Sequence, residues 1–275
     1  MTNPATSNPA IGEPEAIEEQ EILEEIVAPT QDDLPSDDGI PMETQRHKLQ
    51  MDLLVYPLNT WLTQEQRSGF VNGNMFVYFS PSQVRNQDYR GPDVFVVLDV
   101  PPGERKSWVV WQEGKGPDVV IELLSDSTRE RDKTEKKRVY QQQLRVPEYF
   151  WYDPFNPDDF AGFSLQRGLY EPLTLNEQNG LVSQSLGLSL VRWQGEYAGV
   201  EAVWLRWASL DGTVLPTVQE IALAEHQRAE EERQRAEEER QRAEAASQRA
   251  EQERQRADRL AARLRELGID PEQLT

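Results

Sequence analysis

The sequence predicts an α/β fold built on a mixed β-sheet, and three observations predict it. Two short segments, PDVFVVLDV (Pro92 to Val100) and PDVVIELLS (Pro117 to Ser125), read as short hydrophobic strands, each opening with Pro-Asp. A Lys-rich segment, Ser127 to Leu144, has helical spacing. An aromatic segment, EYFWYDP (Glu148 to Pro154), then returns as a strand. Strand, helix and strand in that order are the repeating unit of an α/β sheet.

The flanking elements follow from composition. Residues 1–41 are rich in Pro, Glu, Asp and Ser and contain no aromatic residue, so they are expected to be disordered. The domain is expected over residues 42–219. It opens with a helix from Met42 to about Gln66, in which Leu49, Leu53, Leu54, Leu58, Trp61 and Leu62 recur at three and four. Pro57 should kink or break it, since proline lacks the N–H that a helix interior needs. Phe70 to Phe79 reads as a strand, with Asn72-Gly73-Asn74 as a bulge or turn. Ser107 to Trp111 reads as an edge strand. Ser127 or Thr128 can cap the Lys-rich helix, and Pro147 ends it. Further short strands are expected at Gly162 to Gln166, at Leu169 to Leu173 and between Leu186 and Trp207.

Residues 220–267 change character, and 268–275 form a flexible end. The motif QRAEEER at Gln227 recurs at Gln234 and, with changes, at Gln241, Gln248 and Gln255. The period is seven, and Ala229, Ala236, Ala243, Ala250 and Ala257 stay in register. A strong coiled coil needs two large apolar residues per heptad, and alanine alone occupies this one. Glu-before-Arg pairs such as Glu231 to Arg235 and Glu238 to Arg242 support an isolated helix by about 0.2–0.5 kcal/mol each. A self-supporting helix and a weakly associating one, which would make a homodimer, both remain open.

Charge and composition exclude several classes. Of the net charge of −20, residues 1–45 contribute −12, residues 46–220 contribute −5 and residues 221–275 contribute −3. Without cysteine there are no disulfides and no thiolate metal site. No apolar run approaches the roughly 18–20 residues of a membrane span, and the acidic N-terminus lacks an apolar signal core. A soluble cytoplasmic protein is the expectation.

The candidate chemistry lies in the central segment. Residues two apart on a strand share a face, so Asp118, Val120 and Glu122 point one way. Glu122, between Ile121 and Leu123, is an acid placed deep in a buried strand, which costs several kcal/mol unless it is paired. Asp93 heads the neighbouring strand and meets Glu122 if the two strands pair. Two carboxylates with a substrate phosphate are what Mg²⁺ (or Mn²⁺) takes. Lys136 lies on the stripe of Val139 and Tyr140, so its stem faces the sheet while Lys137 points away. A lysine there would orient a water or offset charge on a phosphoryl group. Neither histidine suggests a site: His47 reads as a helix-surface or substrate-side residue, and His226 lies in the charged tail. The tryptophans read as packing residues rather than base-stacking ones.

The pieces GPDVFVVLDV, PDVVIELLSDSTRERDKTEKKRVY and VPEYFWYDP, followed by GLYEPL and the Leu186–Leu190 region, resemble the Uma2 family of restriction-endonuclease-like proteins. The resemblance runs from about His47 to Val191. It implies a restriction-endonuclease-like mixed sheet flanked by helices and an Mg²⁺- or Mn²⁺-dependent endonuclease acting on DNA. It assigns Asp93 and Glu122 as metal ligands and completes the site with a lysine. The general nuclease pattern places that lysine two residues after the glutamate, where Leu124 stands, so the resemblance moves the role to Lys136. An added acid from the first helix is expected in such folds, with Glu43 nearest, Glu65 further away, and Asp118 a further candidate on the strand.

Two functions follow: a DNA endonuclease, or a non-catalytic nuclease-fold interaction module with the C-terminal helix as spacer or oligomerising arm. A protein that binds duplex DNA usually presents a positive field, and this chain is acidic. One reconciliation is that residues 13–38 fold over the site as a phosphate mimic.

Overall fold

The computed structural model describes residues 28–36, 44–81 and 88–268. The chain builds a mixed α/β domain around a six-stranded sheet and ends in a long helix. The sheet runs β1 (Gly69–Asn72), β4 (Val94–Leu98), β6 (Val119–Leu123), β7 (Glu148–Tyr152), β8 (Phe160–Gln166) and β9 (Leu169–Pro172). All neighbours are antiparallel except β6 and β7. A parallel pair needs a crossover, and the helical residues 129–144 supply it.

Both faces of this sheet are covered, which is why β4 is apolar throughout and β6 is apolar but for Glu122. On one face Val94, Val96, Ile121, Leu123 and Phe150 pack with Leu54 and Leu58 of α1 (Gln45–Gln64) and with Leu190, Leu205 and Trp207. The last three come from a second, antiparallel sheet of β10 (Leu181–Ser183), β11 (Leu188–Tyr197) and β12 (Val200–Ala208). Gln50 joins α1 to that sheet like a piece of strand, exchanging two 2.8 Å hydrogen bonds with the Leu205 backbone. On the other face Phe95, Val97 and Val120 pack with Phe70, Trp108, Tyr140 and Tyr149.

Several elements differ from the sequence expectation. α1 runs through Pro57 without stopping, because its buried face holds it in place on both sides of the proline. The segment Phe70 to Phe79 divides: β1 joins the main sheet, and β2 (Val77–Tyr78) joins a small sheet with β3 (Tyr89–Arg90) and β5 (Trp108–Val109). Gly73 makes the break. A Cβ there would stand 2.2 Å from the Asp93 carbonyl oxygen and 2.6 Å from Met51 Sδ. β5 is shorter than expected and passes directly into a one-turn helix, α2 (Val110–Glu113).

Residues 28–36, part of the stretch expected to be disordered, dock on the small sheet. Leu34 is buried beside Phe76, Tyr78 and Val109. Trp111 Nε1 donates to the Pro29 carbonyl at 2.8 Å, and Tyr78 donates its phenol to the Pro35 carbonyl at 2.7 Å. An aliphatic anchor and two satisfied aromatic donors outweigh the acidic composition here. The rest of residues 1–41 lies outside the described residues.

The C-terminal helix spans Val218–Glu266 and opens with the capping box of Thr217 and Glu220. Among the described residues, no helix is long and apolar enough to cross a membrane.

Candidate active site

Strand register brings the first two acids together. Val94 opposes Ile121 in the antiparallel pair of β4 and β6, so one step further Asp93 opposes Glu122. Asp93 lies just before β4, where Oδ2 accepts the Leu123 N–H at 2.7 Å. Glu122 shares a face with Val120, toward Tyr140 and Tyr149, and is wholly buried.

The crossover helix supplies the rest. Lys136 Nζ donates to Glu122 Oε2 at 2.9 Å, and Tyr140 donates its phenol to Glu122 Oε1 at 2.7 Å. Lys136 Nζ also stands 2.8 Å from Asp132 Oδ1. Asp132, Lys136 and Tyr140 are spaced four apart and form one row facing the sheet. The helix widens to π-helical turns at Asp132–Lys136 and Tyr140–Leu144. Wider turns keep residues four apart in a straighter row than a continuous α-helix would, and such turns recur at functional sites.

The start of this helix is tied down from outside. Arg129 pairs with Asp153, and Lys133 Nζ reaches Asp159 Oδ2 at 2.6 Å. Thr128 occupies the cap position, but its side chain makes no capping bond; Ser125 Oγ accepts the Thr128 N–H at 3.2 Å instead.

Electrostatics set the state of the cluster. Three carboxylates, Asp93, Glu122 and Asp132, surround one ammonium. Burial pushes Glu122 up to about 7 and Asp132 up to about 6, and it raises Asp93 as well; Lys136 pulls all three back. For Lys136 burial works against the charge, yet Glu122 and Asp132 outweigh it and hold the ammonium protonated well above the ordinary lysine range. Asp132 is 1% exposed, and Lys136 and the Thr128 side chain favour its charged form against burial.

This donor set fits a divalent cation. Asp93 and Glu122 oppose each other across the pair of β4 and β6, and the charge of Asp93 disfavours ionisation of Glu122 while a cation favours it. Mg²⁺ characteristically takes one or two carboxylates and keeps several waters. Among the described residues, no three acidic or histidine side chains form a complete ion cage. Asp93 is half-buried as a residue, and Glu122, Asp132 and Lys136 are buried.

The remaining candidates lie elsewhere. Asp118 is at the opposite end of β6, where it accepts the Leu98 N–H at 2.7 Å and pairs with Lys115 at 2.9 Å. Glu65 is exposed at the C-terminal cap of α1, and Glu43 lies outside the described residues. His47 is buried rather than on the helix surface, with Nε2 3.1 Å from the Leu124 carbonyl and Nδ1 2.8 Å from Thr44 Oγ1, which ties α1 to the end of β6. Lys137 does not point into open solvent: its Nζ sits 3.3 Å from the centre of the Phe163 ring. Residues 28–36 bond to Tyr78, Lys106, Trp111 and Gln112, not to the acid cluster; residues 13–27, 37 and 38 lie outside the described residues.

Sequence reasoning missed two members of the network. Asp132 was hidden among the basic residues of its helix, where it reads as a surface salt-bridge partner. Tyr140 was visible only as part of an apolar stripe. Their signal is the four-residue spacing on either side of Lys136.

The fold is a mixed α/β domain whose sheet places Asp93 opposite Glu122 on neighbouring strands, with Lys136 on the crossover helix. Residues 37–194 match the family model of Uma2, described as putative restriction endonuclease, and the chain belongs to that family. No curated protein matches the chain.

Proposed function

We propose that this chain is a divalent-metal-dependent endonuclease that hydrolyses phosphodiester bonds in DNA. The observation that carries the reading is the convergence of Asp93, Glu122 and Lys136 from three separate elements, in a member of a restriction-endonuclease family. Asp93 and Glu122 would hold Mg²⁺ or Mn²⁺. Bound there, the ion supplies Lewis acidity toward a phosphoryl oxygen and a readily deprotonated water.

The chain's own groups do the rest. Tyr140 fixes the Glu122 carboxylate, so this ligand needs little reorganisation. Lys136 keeps its charge and offers it where negative charge grows on the phosphate. Asp132 holds the ammonium from the far side. Plasmid cleavage with Mg²⁺ or Mn²⁺, wild type against Glu122→Ala, tests the reading. Metal-dependent cutting that disappears in the variant supports it, and equal cutting by both sinks it.

One observation favours a second reading. Both Glu122 oxygens already have donors within the protein, so the network is complete around Glu122 without an ion. The domain would then be a non-catalytic interaction module on a nuclease scaffold. It predicts no metal binding in the micromolar to millimolar range.

A further inference from the structure

We propose that the C-terminal helix is a free-standing rigid arm, clamped at its root to the domain and bare along its length. The helix runs unbroken for 49 residues, which spans about 73 Å at 1.5 Å per residue. None of its residues is buried. A packed helix draws its stability from an apolar face; this one has none along most of its length and must draw it from within.

Its composition supplies that stability. From Val218 to Glu266 there is no glycine or proline, and Ala, Glu, Gln and Arg, all strong helix formers, dominate. Ion pairs run along the shaft at three- and four-residue spacing. Glu230 meets Arg233 at 3.4 Å, Glu237 meets Arg240 at 3.0 Å, and Glu238 meets Arg242 at 3.5 Å. Gln241 and Gln255 donate to Glu237 and Glu251 in the same way.

The heptad gives a second copy little to grip. Ala229, Ala236, Ala243, Ala250 and Ala257 hold one seam position, while the position three residues on carries Glu232, Glu239, Ala246, Glu253 and Leu260. Pairing two shafts would set those glutamates against each other in a seam that needs large apolar residues.

The root is built to transmit direction. Arg206 on β12 is buried and grips Glu220 with two nitrogens, at 3.0 Å and 2.7 Å, while also donating to the Leu215 carbonyl at 2.8 Å. The same Glu220 carboxylate accepts the Thr217 N–H at 2.7 Å, and Thr217 Oγ1 accepts the Glu220 N–H at 3.1 Å. A two-pronged arginine contact fixes orientation as well as position. The first turn of the arm is therefore bolted to the second sheet, and the shaft continues that direction away from the domain.

The chain contains no cysteine, so spin labels can be placed at will in the full-length protein. Labels at Gln227→Cys and Gln255→Cys should give one narrow distance centred near about 42 Å between backbone positions, unchanged on dilution. Single-label Gln255→Cys protein should give no intermolecular distance. A broad or short distribution, or an intermolecular distance that grows with concentration, overturns the free-standing arm. Labels at Glu177→Cys and Gln227→Cys report the root: the narrow distribution of the parent should broaden in Arg206→Ala. An unchanged width in that variant overturns the clamp. Neither readout depends on nuclease activity.

Discussion

Tyr140 donates its phenol to Glu122 Oε1 at 2.7 Å, one helical turn beyond Lys136, which takes the other oxygen of the same carboxylate at 2.9 Å. A strand acid is thus held by two groups of the crossover helix. Removing either group changes the charge and the geometry of the site together.

Lys136→Met leaves Asp93, Glu122 and Asp132 without their shared cation. Breaking a buried ion pair from one side costs about 3–5 kcal/mol, and the loss should be largest near pH 8, where the carboxylates must be charged. Near pH 5 Glu122 and Asp132 are protonated and the loss should shrink. Urea unfolding of parent and variant at both pH values checks this; equal losses would contradict it.

Two opposed groups shape stability against pH. Glu122 has its folded pKa raised to about 7 from an ordinary 4.5, so the folded state binds protons more tightly than the unfolded one. Its contribution is present below the unfolded value and is lost as pH rises toward about 7. Glu220 is lowered by the Arg206 contact, so its contribution is present above the unfolded value and is lost as pH falls through the folded one. Without metal, the urea midpoint should therefore be higher near pH 5 than near pH 8 or pH 3. Excess Mn²⁺ should restore the midpoint at pH 8, because a ligand that binds only the folded state stabilises it.

Gly73→Ala puts a methyl group 2.2 Å from the Asp93 carbonyl oxygen, a backbone atom that cannot swing aside. The strain should cost about 1–3 kcal/mol and should displace Asp93 from Leu123 and Glu122. Calorimetry should show weaker Mn²⁺ binding in this variant. Gly114→Ala, with nothing within 4 Å of the added carbon, controls for nonspecific damage because it strains only its own backbone. Equal Mn²⁺ affinity in Gly73→Ala and the parent would contradict the coupling.

Leu34→Ala should release residues 28–36 without unfolding the domain. Truncating a buried leucine costs about 2–5 kcal/mol, and only the few bonds to Tyr78, Lys106, Trp111 and Gln112 resist it here. Hydrogen exchange at the Gln31 and Asp33 amides should accelerate while the global unfolding midpoint stays nearly constant. A fall in both would make the segment part of the core.

The site's acids could be read from the sequence where local rules place them. Pro-Asp at the head of one strand and a glutamate inside the next are fixed by alternation, and the buried partner of Glu122 follows from the stripe of Lys136, Val139 and Tyr140. Alternation also put Asp118 on the face of Glu122, but it could not tell the two ends of β6 apart. Asp132 escaped because an acid among arginines and lysines has the pattern of a solvated helix, and only tertiary packing turns it inward. The bulge or turn at Gly73 was legible, but the joining of its two sides to different sheets was not, because the close approach at Gly73 involves the Asp93 backbone 20 residues away in sequence. Residues 28–36 escaped because a few specific contacts anchor them, and composition averages such contacts away.

A two-carboxylate cation site at Asp93 and Glu122 is tested most directly by calorimetric titration of the full chain with Mn²⁺ at pH 8, beside Asp93→Ala and Glu122→Ala, each variant shown to be folded by its unfolding transition. Binding by the parent that is lost in both variants is the predicted result. A parent that binds no Mn²⁺, or variants that bind as the parent does, would contradict it.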